Sequence, residues 1–452
     1  MLLRMATEPT ASGVHRLLAQ HMLVDGLPLV LDLKASQGSW LIDQATGERY
    51  LDMFTFFASS ALGMNHPGLT GEADFREDLL EAALNKPSNS DVYTVALARF
   101  VETFARVMGD PELPHLFFIE GGSLAVENAL KVAFDWKSRW NEAHGISPEL
   151  GTRVMHLTNA FHGRSGYTMS LTNTDPNKVA RFPKFDWPRI EAPYVRDEAD
   201  VPAAEAYALA QAEDAFAAHP NDIACFIMET VQGEGGDHHF RPEFFAAMKE
   251  LCHRHDALFV LDEVQTGGGL TGKPWAYQWK GVTPDVVAFG KKLQVCGVMA
   301  GGRVEEVPDN VFAVPSRINS TWGGNLTDMV RARRILEVIE ADHLFEAAQL
   351  RGTELLDGLR RLTAAHPLVT NPRGLGLMCA VTMPDRQVRD RVLRVLLDTE
   401  KVIMLGCGER SLRVRPALTV TSDVVELALE ALDRAITLVE QDRDRDLDVQ
   451  YA

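Results

Sequence analysis

An aspartate and a lysine 29 positions apart, Asp262 and Lys291, each close a short apolar run, in LFVLDEVQTGGG and PDVVAFGKKLQV. A lysine held in an apolar pocket gives up its proton readily and becomes a nucleophile toward a carbonyl. A nearby carboxylate can keep a pyridine nitrogen protonated, so that the ring accepts the electrons of a carbanion. Together the pair offers what pyridoxal phosphate asks of a protein, a covalent tether and a charged partner for the ring. Lys291 is the first of two adjacent lysines, and Lys292 is the alternative tether. The bland reading is a solvated surface lysine. Apolar residues before the pair and the run QVCGVMAGG after it argue against that.

Gly121-Gly122-Ser123 stands between the apolar run HLFFIE and a helical stretch. The free N–H groups and positive dipole end of such a helix start suit a phosphate, although glycine turns alone are weak evidence. Phe161 and His162 precede Gly163. His162 reads equally well as an ordinary polar loop residue or as a direct cofactor contact.

These groups need a scaffold. Short apolar runs at 115–120, 153–158, 223–229, 257–263 and 285–290, each polar at its C-terminal end, read as buried parallel strands. Helical stretches at 123–140, near 202–218 and at 242–255 lie between them. The alternation predicts an α/β fold with a doubly wound, mostly parallel sheet of about seven strands and its ligand at their carboxyl ends. Gly121, Gly122, Glu229, Asp262 and Lys291 all fall at such ends. From 326 a long connecting helix is expected, leading to a smaller α/β domain with strands in GLGLMCAVTM, KVIMLG and SLRVRPAL. The expected division is a large domain over 66–335 and a small domain over 336–452. Residues 1–65, with a turn at Ala45–Gly47, pack with the small domain.

With 63 acidic and 45 basic residues in 452, the formal charge is −18 and is spread along the chain. That argues against nucleic acid or an anionic membrane as partner. Five cysteines without a CxxC pair read as free thiols in a reducing compartment, neither disulfides nor a metal site. The first twenty residues hold no long apolar stretch, and a cytoplasmic protein is expected. No GxGxxG opens a helix after the first strand, which disfavours a dinucleotide-dependent dehydrogenase.

From YLDMF at 50–54 to RVRPAL at 413–418 the chain resembles the class III (ω-) aminotransferases, pyridoxal-phosphate enzymes of fold type I. The stretches NKPSNSDVY, FHGRSGY, RFPKFDWPRI, VQGEGGDHHFRPEFF and STWGGNLTDMV carry it, and they are most similar to members that take the ε-amine of lysine. The resemblance implies the tether on Lys291, the ring partner in Asp262, a hydrogen bond from Gln265 to the cofactor's phenolic oxygen, and Phe161 stacked on the ring. It implies Gly122 and Ser123 at the phosphate. It also implies Thr321 reaching the phosphate of a neighbouring subunit, hence a homodimer with shared sites.

On the substrate side it implies L-lysine and 2-oxoglutarate, with L-glutamate as product. Arg164 would hold the carboxylate far from the reacting amine, and Arg413 the α-carboxylate of 2-oxoglutarate or glutamate. Glu234 would cover Arg413 while an ω-amine reacts, with Asn319 among the substrate contacts. Arg415 is read as facing away from Arg413. Ornithine, 4-aminobutyrate or diaminobutyrate are the alternative donors. A non-catalytic cofactor-binding protein is disfavoured because both Asp262 and Lys291 are present. Three positions depart from the family pattern: Gly121 replaces a usual serine, Thr230 a usual proline, and Gly268 lies in a glycine-rich turn, with looser local geometry expected at the last two.

Overall fold

The computed structural model describes residues 9–196 and 199–451. Seven strands form the main sheet: β1 His115–Ile119, β2 Arg153–Leu157, β3 Arg189–Ile190, β4 Ile223–Glu229, β5 Leu258–Glu263, β6 Val286–Phe289 and β7 Cys296–Ala300. Their order is β1-β7-β6-β5-β4-β2-β3. Only β7 runs antiparallel, against both β6 and β1. The other neighbours are parallel, as expected of strands covered on both faces. Every residue of β4, β5 and β6 is buried. Truncating one such side chain, Phe259→Ala, should cost about 3–5 kcal/mol.

The five strands expected in the main sheet appear within a residue of their sequence bounds, whereas the runs GLGLMCAVTM and KVIMLG each contribute to two strands and SLRVRPAL is strand only to Val414. The two that sequence left unassigned are β3, two residues long, and β7, whose glycine-rich run lacked a clear period. Helix α1 Gly122–Ala143 packs across β7, β6 and β4, while α2 Val201–Ala218 and α3 Pro242–Arg254 pack on each other. The expected long connecting helix is two helices, α4 Leu326–Ala341 and α5 Leu344–Ala365. His343 between them adopts φ 50°, a left-handed conformation that a right-handed helix cannot pass through.

A four-stranded sheet joins Thr370–Leu375, Met378–Thr382, Ser411–Val414 and Leu405–Cys407 in that order. The N-terminal hairpin Trp40–Ile42 and Arg49–Asp52 pairs in parallel with Val402–Ile403, so the two ends of the chain share a sheet. All five cysteines are free thiols. Among the described residues no helix is long and apolar enough to cross a membrane.

Candidate active site

Parallel register does the first part of the assembly. Glu229, the last residue of β4, sits beside Asp262 on β5. Asp262 in turn lies opposite Ala288 on β6, two residues short of Gly290 and the lysines. A cavity of about 370 Å³ opens there. Of the residues expected at the site, Gly122, Ser123, Phe161, His162, Arg164, Asp262, Gln265 and Lys291 all line it.

Lys291 faces the cavity and Lys292 does not. Burial first, and Arg413 second, push the Lys291 amine down to about 8, against the opposing pull of Asp262, Glu229 and Glu234. Its backbone has φ 46°, a strained setting for a side-chain-bearing residue and one often found at functional sites. Lys292 is buried, and its Nζ donates to Ser60 O at 3.1 Å. There it helps hold a left-handed turn in which Thr55, Phe56, Phe57 and Ala58 take φ 42°, 52°, 60° and 67°. Such residues cost about 1–2 kcal/mol each, so the turn needs external grips. Asp52 Oδ1, accepting from Thr55 N at 2.7 Å, is another.

Asp262 is held by two donors. Val264 N donates to Oδ1 at 3.0 Å, and His162 Nδ1 lies 2.7 Å from Oδ2. His162 is therefore the aspartate's positioning partner, which its loop context did not reveal. Its Nε2 is buried without a hydrogen-bond partner among the described residues. Glu229 accepts from the backbone N–H of Phe161 at 2.9 Å and of Gly233 at 3.2 Å. Burial, reinforced by the charge of Asp262, pushes the Glu229 carboxyl well above its ordinary value. Of the pair, Glu229 is the one whose burial favours the protonated form.

At the start of α1, Gly121 has φ 94°, a region that disfavours the serine usual at this position. A Cβ on Gly122 would lie 2.8 Å from Val264 Cγ1. The Ser123 hydroxyl is engaged by Ser165 Oγ at 2.6 Å and Thr168 Oγ1 at 2.8 Å, which leaves its backbone N–H for a ligand. Thr230, where proline is usual, donates to buried Glu263 at 2.7 Å and so ties β4 to β5. The glycine-rich turn is tight, against expectation. A Cβ on Gly269 would lie 2.7 Å from the Phe345 ring, so glycine is what lets α5 approach.

Next to this cavity, Arg413 Nη2 donates to Glu234 Oε2 at 2.9 Å. Lys178 Nζ takes the other carboxylate oxygen, Oε1, and no local signal in DPNK announced it. Burial alone would raise the Glu234 carboxyl, but Arg413 and Lys178 together hold it below its ordinary value. Arg415 is turned away, though not through strand alternation, since residues two apart share a face. The strand ends at Val414, and Arg415 pairs with fully buried Asp237. It also reaches Gln265 Oε1 at 3.4 Å, leaving the Gln265 amide NH₂ as donor.

Arg164 is exposed at the cavity rim and, among the described residues, has no hydrogen bond or ion pair. Two expected residues are not brought to the cavity within one chain. Thr321 is exposed, and Asn319 is exposed and accepts from Ser320 N at 2.8 Å.

The residues fit pyridoxal phosphate. A cavity of small-molecule size joins a helix start, a fixed carboxylate, an amine near 8 and an unsatisfied buried ring nitrogen. The aminotransferase class-III family model matches residues 22–436. The L-lysine-epsilon aminotransferase of Mycobacterium tuberculosis is 64% identical over 434 residues, covering 95% of this chain and 96% of that protein. That of Amycolatopsis lactamdurans is 59% identical, covering 95% and 96%. The solved structure of the lysine aminotransferase from M. tuberculosis superposes with a TM-score of 0.94 at 64% identity, over 95% of this chain and 100% of that one. With the family model spanning nearly its whole length and the lysine, aspartate and helix start meeting in one cavity, this chain belongs to the class-III aminotransferases.

Proposed function

We propose that this chain moves the ε-amino group of L-lysine to 2-oxoglutarate, giving 2-aminoadipate 6-semialdehyde and L-glutamate. The observation that carries the reading is the unequal state of two arginines. Arg413 is closed by Glu234, while Arg164 at the rim has no partner among the described residues. A donor whose carboxylate sits far from its reacting amine suits that arrangement. Its carboxylate takes the open guanidinium, and nothing negative need approach the closed one. The acceptor carries a carboxylate next to its reacting carbon, so it must displace Glu234 and use Arg413 itself. The names of the relatives at 64% and 59% identity support the ε-amine of L-lysine as the group donated.

Bound pyridoxal phosphate supplies the electron sink that makes the proton on the amine-bearing carbon removable. Asp262, fixed by His162 and Val264 N, would oppose the ring nitrogen, and the N–H groups of Gly122 and Ser123 would hold the phosphate. Phe161 would cover the ring, and the Gln265 amide would donate to the phenolic oxygen. Lys291 would tether the group, and its Nζ, when free, would take the proton from the lysine ε-carbon, a task suited to an amine near 8.

Thr321 and Asn319 would complete the site of a second copy in a homodimer. Exposed Leu84, Val92, Tyr93, Val95 and Trp322 support that reading. The chain would work as two lobes, 66–335 carrying the cofactor and 336–452 closing with 1–65, which the shared N- and C-terminal sheet supports. Light scattering tests the dimer. Half-reactions of the loaded protein with lysine, ornithine, 4-aminobutyrate and diaminobutyrate test the donor. Lysine should react fastest, and a large preference for ornithine would overturn the assignment of Arg164.

A further inference from the structure

We infer that Lys178 is a positioning residue for the acceptor half of the reaction: it retains Glu234 when an incoming dicarboxylate takes over Arg413. The inference rests on the Glu234–Arg413 pair being the element that opens. Glu234 is shared, with Oε2 on Arg413 and Oε1 on Lys178. Arg413 is 3% exposed while Glu234 is 26% exposed, so it is the glutamate that has freedom to move. Behind the pair lies a second cavity of about 250 Å³, lined by Lys178, Glu234, Arg386, Arg389, Asp175 and Asp390.

That space gives the displaced carboxylate somewhere to go. Arg389 is tied to Asp390 and to the carbonyls of Gly408 and Glu409, and Arg386 has no partner among the described residues. Lys178 itself is anchored. Asp175 Oδ1 caps its turn through Asn177 N at 2.9 Å, and Nζ lies 5.4 Å from the centre of the Phe161 ring.

The physical reason is charge balance. Taken off Arg413 with no second cation, Glu234 would be left partly buried and unpaired, a heavy penalty. With Lys178 in place the carboxylate keeps one partner throughout, and Arg413 exchanges one carboxylate for another. Both states remain neutralised.

The test compares Lys178→Met and Lys178→Arg with the wild-type loaded enzyme, in both half-reactions and in calorimetric binding of glutarate, a dicarboxylate that cannot react. Lys178→Met should raise KM for 2-oxoglutarate and weaken glutarate binding by about tenfold, leaving the lysine half-reaction within about twofold. Lys178→Arg should restore both. In a Glu234→Ala background the Lys178→Met effect on glutarate should vanish, because its route of action is gone. An effect that persists there would make Lys178 a direct substrate contact and overturn the inference. So would an equal fall in both half-reactions, or no change. If wild-type protein preferred another ω-amine yet kept this Lys178 dependence, lysine as donor would fail and the role of Lys178 would stand.

Discussion

At the sheet end of the cavity the charged groups are fixed by strands. Asp262 and Glu229 are neighbours by β-register, and each is pinned by backbone N–H donors. At the small-sheet end the charges sit on a four-residue helical turn, a short loop turn and a strand paired on both sides: Glu234, Lys178 and Arg413. One end has a single arrangement, and the other has a carboxylate divided between two cations. The contrast follows from the work proposed for each. Chemistry that is the same for every substrate needs one preorganised geometry, whereas two substrates with different charge patterns need an exchangeable pair.

The most severe way to break the first half of that contrast is Lys291→Ala, which should reduce transamination by at least about a thousandfold. Lys292→Met should cost less than about tenfold in activity, its effect appearing in thermal stability through the Ser60 grip. Next, Asp262→Asn keeps the shape and removes the charge. It should lower the rate of both half-reactions by about a hundredfold, measured in single turnovers. Equal slowing of both halves is the signature of the fixed end.

Glu234→Ala addresses the other end and should split the halves. The lysine half-reaction should slow by about thirtyfold as Arg413 is left uncovered, with the glutamate half within a few-fold of wild type. Equal slowing would erase the contrast between the two ends.

A pH experiment sharpens the sheet end. With its amine near 8, Lys291 is unprotonated in about a tenth of molecules at pH 7 and about half at pH 8, so loading of apoprotein should rise about fivefold over that unit and level above about pH 9. The same depressed value destabilises the folded apoprotein below about pH 8. Stability should therefore rise between about 8 and 10.5, where the unfolded chain binds the extra proton. The smallest effect is at the helix start. Gly121→Ser forces a side chain onto φ 94° and should cost about 1 kcal/mol in chemical denaturation.

Much of the sheet end was legible because it is local. Apolar runs ending in Glu229 and Asp262, and a lysine pair after a third, announce both strand and function in a few consecutive residues. The helix start at Gly122 was equally plain. His162 was ambiguous, since nothing in FHGRSGY says that its ring meets an aspartate a hundred positions away. Lys178 was silent for the same reason, standing 56 residues from Glu234. The break at His343 escaped because a left-handed residue leaves no mark in hydrophobic periodicity.

By itself, then, the order of residues determined the strand sequence, the tethering lysine's neighbourhood and the carboxyl-edge location of the chemistry, because buried parallel strands impose their composition locally. Which of the two lysines faces the cavity, which partner holds Asp262, and how Glu234 is divided were decided only by tertiary structure. Those outcomes depend on distances between segments far apart in the chain, and burial sets the charge of each group once they meet.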